Sequence, residues 1–412
     1  MSHLLPTYAN FPLTIVRGEG SRVWDDEGKE YLDFCSGIAT CSIGHCHPAL
    51  THAISEQAST LMHCSNLYQI PQQEQLARTL VEEFVKKPGK IFFSNSGAEA
   101  NDGMIKTARR FGHARPDENG EARYEVITFS SSFHGRTLGS MAATAQKKIQ
   151  IGFDPMLPGF RYVPFNDIDA LTAAISNTTA GIMLEPIQGE GGVNEATPEF
   201  LEKIAALCKE HDLLLMLDEV QCGCGRTGTL NGWQSICPDL EPDTISWAKG
   251  MGGGFPIGAF YVSDRKIDNK KTSLSSLMNA GSHGSTYGGN PLACSASLAV
   301  LHTILSDELP ANAMSQCTNI RAEIGSWNHP AISDIRGKGL LLGIALKPES
   351  LATPEDSTPA LYLCQALMAA GLLTVPAGPE TLRLLPPLNV TENDIQKALR
   401  IIKNTLDSLL NS

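Results

Sequence analysis

The feature that most constrains the fold is a series of short, almost continuous apolar segments spaced along the first three quarters of the chain. Six such segments occur: KIFFSN (90–95), YEVITFSSS (124–132), AGIMLEPI (180–187), LLLMLDEV (213–220), DTISWAK (243–249) and GAFYVS (258–263). Strands buried on both faces have this uninterrupted apolar composition, whereas half-exposed strands alternate. The segments therefore predict a mostly parallel sheet that is covered on both faces.

Helical patterns lie between these segments. Ser96 and Glu99 have the spacing of a capping box at the start of one helix. Thr197 and Pro198 open another, and its apolar face is formed by Phe200, Leu201, Ile204, Ala205 and Cys208. The segment PLACSASLAVLHTIL (291–305) is helical as well. Strands alternating with helices indicate an α/β fold.

The length and the change of texture along the chain suggest more than one domain. A chain of 412 residues suits two or three domains. After about residue 305, Pro-rich and polar stretches surround shorter periodic segments, which is typical of a smaller α+β domain. We expect a large domain over residues 46–304 and a small domain over 305–412, with residues 1–45 contributing to the small one.

The charge balance narrows the classes of partner. A net charge of −12 and a pI near 5.4 argue against nucleic acid or an anionic membrane as the main partner. No uncharged apolar run approaches 18 residues, and the N-terminus lacks the basic and apolar regions of a secretory signal. We expect a cytoplasmic protein with free thiols among its 11 cysteines.

Two groups of residues resemble metal ligands but lack the spacing of a metal site. They are the cluster Cys41, His45, Cys46 and His47, and the pair Cys222 and Cys224. Neither contains a C-x-x-C pair or a second ligand pair at zinc-finger spacing. We therefore predict no metal.

The segment QCGCGRTG (221–228) has the G-x-G-x-x-G spacing of a dinucleotide-binding loop. In that motif the glycines open a helix and an acidic residue follows about 20 residues later. Here the stretch TLNGWQSICPD follows instead, whose glycine and proline disfavour a helix, and Asp218 and Glu219 precede the motif. The glycines therefore predict a turn, and no phosphate-binding G-x-x-x-x-G-K-[ST] motif is present.

A lysine and an aspartate at the ends of neighbouring predicted strands point to a different cofactor. Lys249 ends one strand, at the edge where open α/β sheets bind ligands, and is followed by a glycine-dense bend. A surface lysine is the ordinary alternative, but the flanking Trp247 and Ala248 favour a desolvated amine that can attack a carbonyl. Asp218 is placed to keep a pyridine nitrogen protonated. This pair of residues predicts pyridoxal phosphate.

The phosphate of such a cofactor requires a site of its own. Gly97 and Ala98 fall at a predicted helix N-terminus, where free backbone N–H groups favour an anion. A plain capped helix explains the same residues equally well.

Several motifs together resemble the class III aminotransferases, which are homodimeric pyridoxal-phosphate enzymes with the aspartate-aminotransferase fold (fold type I). The resemblance covers nearly the whole chain and is carried by NSGAEAND, SFHGRTLGSMAAT, EPIQGEGG, LDEVQCGCGRTG, SWAKGMGGGFPIGA and GSTYGGNPLAC. Within the class, FPLTIVRGEG, SNLYQIPQQEQLA and GFDPMLPGF are most similar to the acetylornithine aminotransferases. It implies a mostly parallel seven-stranded sheet in the large domain.

The resemblance also assigns cofactor-binding residues. Lys249 would hold the cofactor covalently and then act as general base and acid, and Asp218 would bind its pyridine nitrogen. Gln221 would contact the phenolic oxygen of the ring, and Phe133 and Val220 would lie on its two faces. Gly97 and Ala98 would hold the cofactor phosphate, and Thr286 would contact the phosphate of the cofactor bound in the partner subunit. Without the resemblance, Phe133 would be interpreted as a core residue.

For the substrates, the resemblance assigns two arginines and two acids. Arg136, assisted by Ser285 of the partner subunit, would bind the far carboxylate, and Arg383 would bind the α-carboxylate of 2-oxoglutarate or glutamate. Glu190 would neutralise Arg383 when the amino donor has no nearby carboxylate, with Glu185 supporting the same pocket. Surface ion pairs are the alternative for each of these residues.

The implied reaction is transfer of the terminal amino group of N2-acetylornithine to 2-oxoglutarate. N-succinyl-diaminopimelate, N-succinylornithine, ornithine and 4-aminobutyrate remain alternative donors, because the sequence does not fix the acyl group. Glutamate-semialdehyde aminomutase and an inactive cofactor-binding protein are less favoured. Tyr8, Asn10 and Tyr68 are candidates for the substrate entrance.

Overall fold

The computed structural model describes residues 3–269 and 271–410, which form strands and helices in alternation. The strands in chain order are β1 (Ile15–Glu19), β2 (Arg22–Asp25), β3 (Glu30–Asp33), β4 (Gly89–Ser94), β5 (Glu125–Phe129), β6 (Phe160–Val163), β7 (Thr179–Leu184), β8 (Ile187–Gln188), β9 (Asn194–Glu195), β10 (Leu214–Asp218), β11 (Thr244–Trp247), β12 (Gly258–Ser263), β13 (Ile332–Lys338), β14 (Leu341–Leu346), β15 (Leu372–Leu373), β16 (Val375–Pro376) and β17 (Thr381–Leu384). The helices are α1 (Ser36–Ala39), α2 (Pro48–Thr60), α3 (Pro71–Thr79), α4 (Gly97–Ala114), α5 (Leu138–Ala143), α6 (Lys147–Gln150), α7 (Ile168–Ala174), α8 (Pro198–Glu210), α9 (Pro291–Ser306), α10 (Leu309–Ser326), α11 (Pro359–Ala369) and α12 (Glu392–Leu410).

The largest sheet has seven strands in the order β4-β12-β11-β10-β7-β5-β6. β12 is antiparallel to both of its neighbours, and the other adjacent pairs are parallel. This confirms the predicted mostly parallel seven-stranded sheet. The apolar runs did not reveal β6, because this edge strand has the sequence FRYV and leaves two of its four residues exposed.

Helices cover both faces of this sheet, as the continuous apolar strands predict. Along β10, Leu214 and Met216 pack with residues of α4, whereas Leu215 and Leu217 belong to the core that includes α8. Successive strand residues point to opposite faces. A strand with an apolar layer on each side therefore has few polar positions, and all five residues of β10, including the terminal Asp218, are buried.

Two four-stranded sheets accompany the large one, and the first of them joins the two ends of the chain. The N-terminal strands β1, β2 and β3 form a sheet with β15, and β13, β14, β17 and β16 form another. The Ser21 hydroxyl also donates to Asp394 of α12 across 2.8 Å. These contacts support a small domain built from both termini, and the boundaries at residues 45 and 304 stay a prediction.

Two apolar helices, α9 and α10, follow the large sheet. Within residues 3–269 and 271–410, no single helix has the length and apolar character needed to cross a membrane. Taken as a pair, α9 and α10 have that length and composition, but a bend of 61° separates them. Ten residues of α9 are buried, including Ala293, Val300 and Leu301.

Candidate active site

A cavity of about 430 Å³ opens beside the carboxyl ends of β10 and β11. Asp218 is the last residue of β10, and Lys249 follows β11 by two residues. Both side chains line the cavity. The parallel pairing of β10 with β11 brings residues 31 apart in sequence to the same edge of the sheet. The predicted meeting of these two residues is therefore found in the structure.

Lys249 lies in a tight turn with a φ of 43°. Its side chain borders the cavity. Desolvation by the surrounding protein lowers the pKa of the amine, and it outweighs the charge of Glu190, which acts to raise this pKa. No residue of the described ranges accepts a hydrogen bond from Lys249 Nζ. The amine is thus available to a ligand in the cavity.

Asp218 is held by a network of buried polar side chains. Its Oδ2 accepts hydrogen bonds from Asn101 Nδ2 at 2.7 Å and from His134 Nδ1 at 2.8 Å. The hydroxyl of Ser246 donates to Asn101 Oδ1 at 2.6 Å, and the backbone N–H of Val220 donates to Asp218 Oδ1 at 3.0 Å. Such satisfied networks fix the orientation of a buried carboxylate.

Asn101, His134 and Ser246 were not predicted as site residues from the sequence. His134 lies within the SFHGRT motif, directly after Phe133, but its contact with Asp218 spans 84 residues. His134 is buried, and although burial acts to lower the pKa of its imidazole, the hydrogen bond to Asp218 raises it overall. The Nε2 atom of His134 has no partner among the described residues.

Helix α4 points its N-terminus into the cavity. Ser96 is the N-cap and accepts from the Glu99 N–H at 3.3 Å, while Glu99 accepts from the Asn95 N–H at 2.7 Å. The first N–H groups of the helix, including those of Gly97 and Ala98, have no intrahelical acceptor. Together with the helix dipole, they suit an anion such as phosphate.

Glycine is required at position 97 by a close approach. A Cβ atom at Gly97 would lie 2.8 Å from both Cγ atoms of Val220. Val220 and Phe133 both line the cavity and are half-buried. The pocket therefore offers two apolar side chains to a flat ring.

Arg383 is wholly buried and is surrounded by acceptors. Its Nη1 atom donates to Glu190 Oε1 at 2.8 Å, to Gln221 Oε1 at 2.9 Å and to the Gly189 carbonyl at 2.7 Å. Gln221 Nε2 in turn donates to Glu190 at 2.9 Å. Burial acts to raise the pKa of Glu190, but the Arg383 guanidinium outweighs it and holds this pKa below its usual value. The Nε atom of Arg383 has no partner among the described residues.

Glu185 lies deeper in the same region and ties two loops together. Its carboxylate accepts from the Phe133 N–H at 3.0 Å and from the Gly189 N–H at 3.2 Å. Burial raises the pKa of Glu185 to about 7. Glu185 thus connects the residue on one face of the cavity to the backbone beside Glu190.

The residues assigned to the far carboxylate of the substrate and to the site of the partner subunit are exposed or half-buried. Arg136 is exposed, lines the cavity and places its Cζ atom 5.5 Å from the centre of the Phe133 ring. Ser285 accepts a hydrogen bond from the cavity residue Asn95 at 3.2 Å, and the neighbouring Thr286 is exposed. Their action in the site of a partner subunit stays a prediction.

The entrance candidates Tyr8, Asn10 and Tyr68 are exposed, and none of them lines the cavity of the single chain. Thr40 lines it instead. All 11 cysteines are free, and seven of these are buried. Within the described ranges, no three His, Cys, Asp or Glu side chains are grouped as metal ligands.

Comparisons with known proteins identify the family of the chain. The family model described as Aminotransferase class-III matches residues 5–406. The chain is 44% identical over 409 residues to an acetylornithine aminotransferase of Caldanaerobacter subterraneus subsp. tengcongensis, covering 99% of this chain and 98% of the relative. It is 45% identical over 413 residues to that of Halalkalibacterium halodurans, covering 99% and 98%.

Solved structures of two aminotransferases also match the chain over nearly its whole length. The N-acetylornithine aminotransferase of Stenotrophomonas maltophilia is 36% identical with a TM-score of 0.81, and the match covers 98% of each chain. The ornithine aminotransferase of Toxoplasma gondii is 29% identical with a TM-score of 0.88, covering 99% of this chain and 93% of that one.

Proposed function

Because the chain belongs to the class III aminotransferase family, we propose that it transfers the terminal amino group of N2-acetyl-L-ornithine to 2-oxoglutarate. The products are N-acetyl-L-glutamate 5-semialdehyde and L-glutamate, in a ping-pong cycle that serves arginine biosynthesis. The acetylornithine aminotransferases that match over nearly the whole chain support this substrate. The observation that carries it within the site is the buried Glu190–Arg383 pair.

The cofactor of the family is pyridoxal 5′-phosphate, and the residues present fit it. Lys249 has an amine without a protein acceptor in the described ranges, and Asp218 has a carboxylate oriented by His134 and Asn101. The free N–H groups at the start of α4 suit the phosphate. When bound, this cofactor supplies an electron sink for the carbon that carries the amino group.

Lys249 is the residue that moves the proton. Desolvation lowers the pKa of its amine and so favours the neutral form of Nζ, which can accept a proton from the substrate carbon beside the amino group. The same atom would then act as an acid and return the proton at the other end of the 1,3-shift. Both carboxylate oxygens of Asp218 accept hydrogen bonds, from Asn101 and His134 and from the Val220 N–H, and these bonds hold its orientation.

Arg383 and Glu190 allow one pocket to accept two kinds of substrate. N-acetylornithine presents a terminal amine, so a methylene chain would face Arg383, and Glu190 prevents an uncompensated buried charge. When 2-oxoglutarate binds, Glu190 moves away and the planar guanidinium takes the α-carboxylate through two hydrogen bonds. In both half-reactions, Arg136 holds the carboxylate at the far end.

We also propose that the enzyme is a cytoplasmic homodimer with shared active sites. Thr286 would contact the cofactor phosphate of the partner subunit, and Ser285 would assist the partner's substrate carboxylate. The exposure of Thr286 in the single chain supports this arrangement. Gln221 would contact the phenolic oxygen of the ring while it holds Glu190 and Arg383.

Ornithine is the second candidate donor, favoured by the TM-score of 0.88 to an ornithine aminotransferase. The test is a single-turnover experiment with the holoenzyme and no keto acid, in which the absorbance of the bound cofactor is followed after each donor is added. N-acetylornithine should react fast, and ornithine, N-succinyl-diaminopimelate and 4-aminobutyrate slowly. Faster reaction of another donor would replace the substrate assignment.

A further inference from the structure

The turn that follows β10 contains a buried arginine to which the proposed reaction gives no role. This turn is the segment QCGCGRTG (221–228), and the structure confirms that its glycines form a turn. Arg226 is 2% exposed and is among the largest fully buried side chains of the described residues. Gly225 and Gly228, on either side of it, have φ values of 88° and 91°, a conformation that favours glycine. The glycines therefore serve the path of the backbone around Arg226.

The side chain of Arg226 bridges the ends of two paired strands in another sheet. Its Nη1 atom donates to the carbonyl of Leu340 at 3.1 Å and to that of Pro386 at 2.5 Å. Leu340 directly precedes β14, and Pro386 follows β17 by two residues. The two strands are antiparallel, with Leu342 opposite Leu384. Continued along both strands, this register would place Leu340 opposite Pro386.

The backbone at this point explains why a side chain from outside the strand pair is needed. Pro386 has no N–H group, so it cannot continue the hydrogen-bond ladder towards Leu340. The Leu340 N–H donates instead to the Arg226 carbonyl at 2.8 Å. Arg226 therefore binds both backbone groups of Leu340 and also binds Pro386. A Cβ atom at Gly339 would clash with the Arg226 carbonyl oxygen, so the two turns lie in direct contact.

These contacts lie close to the arginine assigned to the substrate α-carboxylate. Arg383 is on β17, three residues before Pro386, and its Nη1 atom donates to Gln221 Oε1 at 2.9 Å. Gln221 belongs to the same turn as Arg226. The turn after Asp218 therefore holds β17 at two points, through Gln221 beside Arg383 and through Arg226 at the end of the strand.

The buried charge of Arg226 has no partner of opposite sign. Among the residues that the structure describes, no carboxylate pairs with it, and its Nη2 atom has no hydrogen-bond partner. Burial lowers the pKa of the guanidinium to about 10, so the group is still charged at neutral pH. Burying an uncompensated charge costs free energy that an apolar side chain does not cost. Stability alone therefore does not account for Arg226, whereas a planar guanidinium fixes the geometry of the carbonyl groups that it binds.

We propose that Arg226 is a positioning residue for amino transfer. It fastens the turn that carries Gln221 to the strand pair that carries Arg383, and so sets the distance between the cofactor and the guanidinium that takes the α-carboxylate of 2-oxoglutarate. Arg226 does not line the cavity, so it acts through Arg383 and not on the substrate. This inference rests on the proposed function for the class of acceptor, a five-carbon dicarboxylate.

The two half-reactions should depend on Arg226 to different degrees. A dicarboxylate needs Arg136 and Arg383 at a fixed separation, whereas N-acetylornithine leaves Arg383 paired with Glu190. Loss of the Arg226 contacts should therefore weaken the binding of a dicarboxylate more than the binding of the cofactor. An arginine with a purely structural role would lower the stability and affect both affinities alike.

The test measures the binding of glutarate to the holoenzyme from the change in absorbance of the bound cofactor. Glutarate has the two carboxylates of 2-oxoglutarate and no group that can react, so its affinity reports the positions of the arginines without turnover. Arg226→Met keeps an apolar stem and removes both hydrogen bonds. We expect its dissociation constant for glutarate to rise about tenfold, the loss of part of one charge-assisted contact, while the affinity for pyridoxal phosphate changes little. Unchanged glutarate affinity in this variant would overturn the proposal.

Arg123→Met is the matched control. Arg123 is 7% exposed, and its guanidinium also donates to backbone carbonyls, those of Arg115, His211 and Asp212. It does not line the cavity. Arg123→Met should lose stability and keep the glutarate affinity of the wild type. An equal loss of glutarate affinity in Arg123→Met and Arg226→Met would indicate general loosening and contradict a positioning role.

Two further variants decide the question if Arg226→Met does not fold. Arg226→Lys keeps the charge and a donor, so it should bind glutarate more weakly than the wild type but more tightly than Arg226→Met. Gly339→Ala presses on the Arg226 carbonyl from the opposite side and should weaken glutarate binding with Arg226 intact. Wild-type glutarate affinity in both Arg226→Lys and Gly339→Ala would contradict the proposal.

Failure of the proposed function would give a different result. A protein that binds glutarate with the predicted dependence on Arg226, but takes no amino group from N-acetylornithine, would refute the assigned donor and keep the positioning role. A wild type that binds no glutarate would overturn this proposal together with the role of Arg383.

Discussion

Arg383 and Glu190 form an ion pair of 2.8 Å in which the guanidinium has no exposed surface and the carboxylate keeps 26% of its side chain exposed. This asymmetry determines which partner can leave. Glu190 can exchange Arg383 for water at its exposed side, whereas Arg383 would have to cross the protein interior. The acid is followed by Gly191 and Gly192, and Gly192 has a φ of 114°. In the proposed dual-specificity switch, we therefore expect the glutamate to be the part that moves.

The first prediction concerns Glu190→Gln. The amide keeps the shape but not the charge, so Arg383 would face a methylene chain uncompensated when N-acetylornithine binds. The single-turnover rate with N-acetylornithine should fall about 10–100-fold, equivalent to about 1.4–2.7 kcal/mol, while the rate with glutamate changes little. Stopped-flow absorbance of each half-reaction measures this. An equal decrease in both rates would argue against the switch.

The second prediction compares Arg383→Lys with Arg136→Lys. Lysine cannot make the planar, paired hydrogen bonds of a guanidinium. Arg383→Lys should lower kcat/KM for 2-oxoglutarate about 100-fold, the loss of about 2.7 kcal/mol expected for one charge-assisted contact, with a smaller effect on the N-acetylornithine half-reaction. Arg136→Lys should impair both half-reactions. Steady-state kinetics with both substrates varied distinguishes the two arginines, and identical profiles would contradict their separate roles.

The third prediction concerns the contact between Gly97 and Val220. A methyl group at position 97 would lie 2.8 Å from both Val220 Cγ atoms. Gly97→Ala should therefore cost about 1–3 kcal/mol of overpacking and weaken cofactor binding about 10–100-fold. Adding Val220→Ala removes the clash and should restore part of the affinity. Titration with pyridoxal phosphate measures both the loss of affinity in Gly97→Ala and its partial recovery in the double variant.

Gly325→Ala is the control for that experiment. Gly325 lies in α10, and a Cβ atom there would meet nothing within 4 Å. This substitution should leave cofactor affinity unchanged and raise the stability by about 0.4–1 kcal/mol, as alanine does in a helix. A loss of affinity in Gly325→Ala would show that the effect at Gly97 is not local.

The fourth prediction concerns the buried acid beside Asp218. Burial raises the pKa of Glu219 to about 8 from its ordinary value of 4.5, although its carboxylate accepts from the N–H groups of Gly232 and Trp233. Between pH 4.5 and 8 the folded state then binds more protons than the unfolded state at this site. The free energy of unfolding therefore decreases as the pH rises through this window, by an amount on the order of a few kcal/mol.

Glu219→Gln removes this titration and should flatten the decrease. The amide can satisfy only one of the two N–H donors, so a constant loss of about 1–3 kcal/mol is expected at every pH. Urea denaturation between about pH 5 and pH 8 separates the slope from the constant loss. Glu83→Gln, at an exposed position, is the control and should leave the slope unchanged. Equal slopes in wild type and Glu219→Gln would refute the assignment to Glu219.

Local sequence properties were sufficient for most of the fold. The apolar runs located six of the seven strands in the large sheet, because a strand covered on both faces is mostly apolar. They did not locate β6, whose Arg161 and Tyr162 are exposed at the edge. The polar and exposed residues of β6 interrupt its apolar run, so its place in the sheet is set by pairing with β5.

For the site, the sequence by itself predicted that Lys249 and Asp218 lie together. Each residue follows or ends a strand, and parallel strands place their carboxyl ends at the same edge of the sheet. The roles of Arg383 and Glu190 came from resemblance to a family. Only the tertiary structure decided that His134 and Asn101 orient Asp218 and that Gln221 holds both Glu190 and Arg383. Periodicity reports contacts between residues a few positions apart, whereas these contacts join residues far apart in sequence through the packing of different elements.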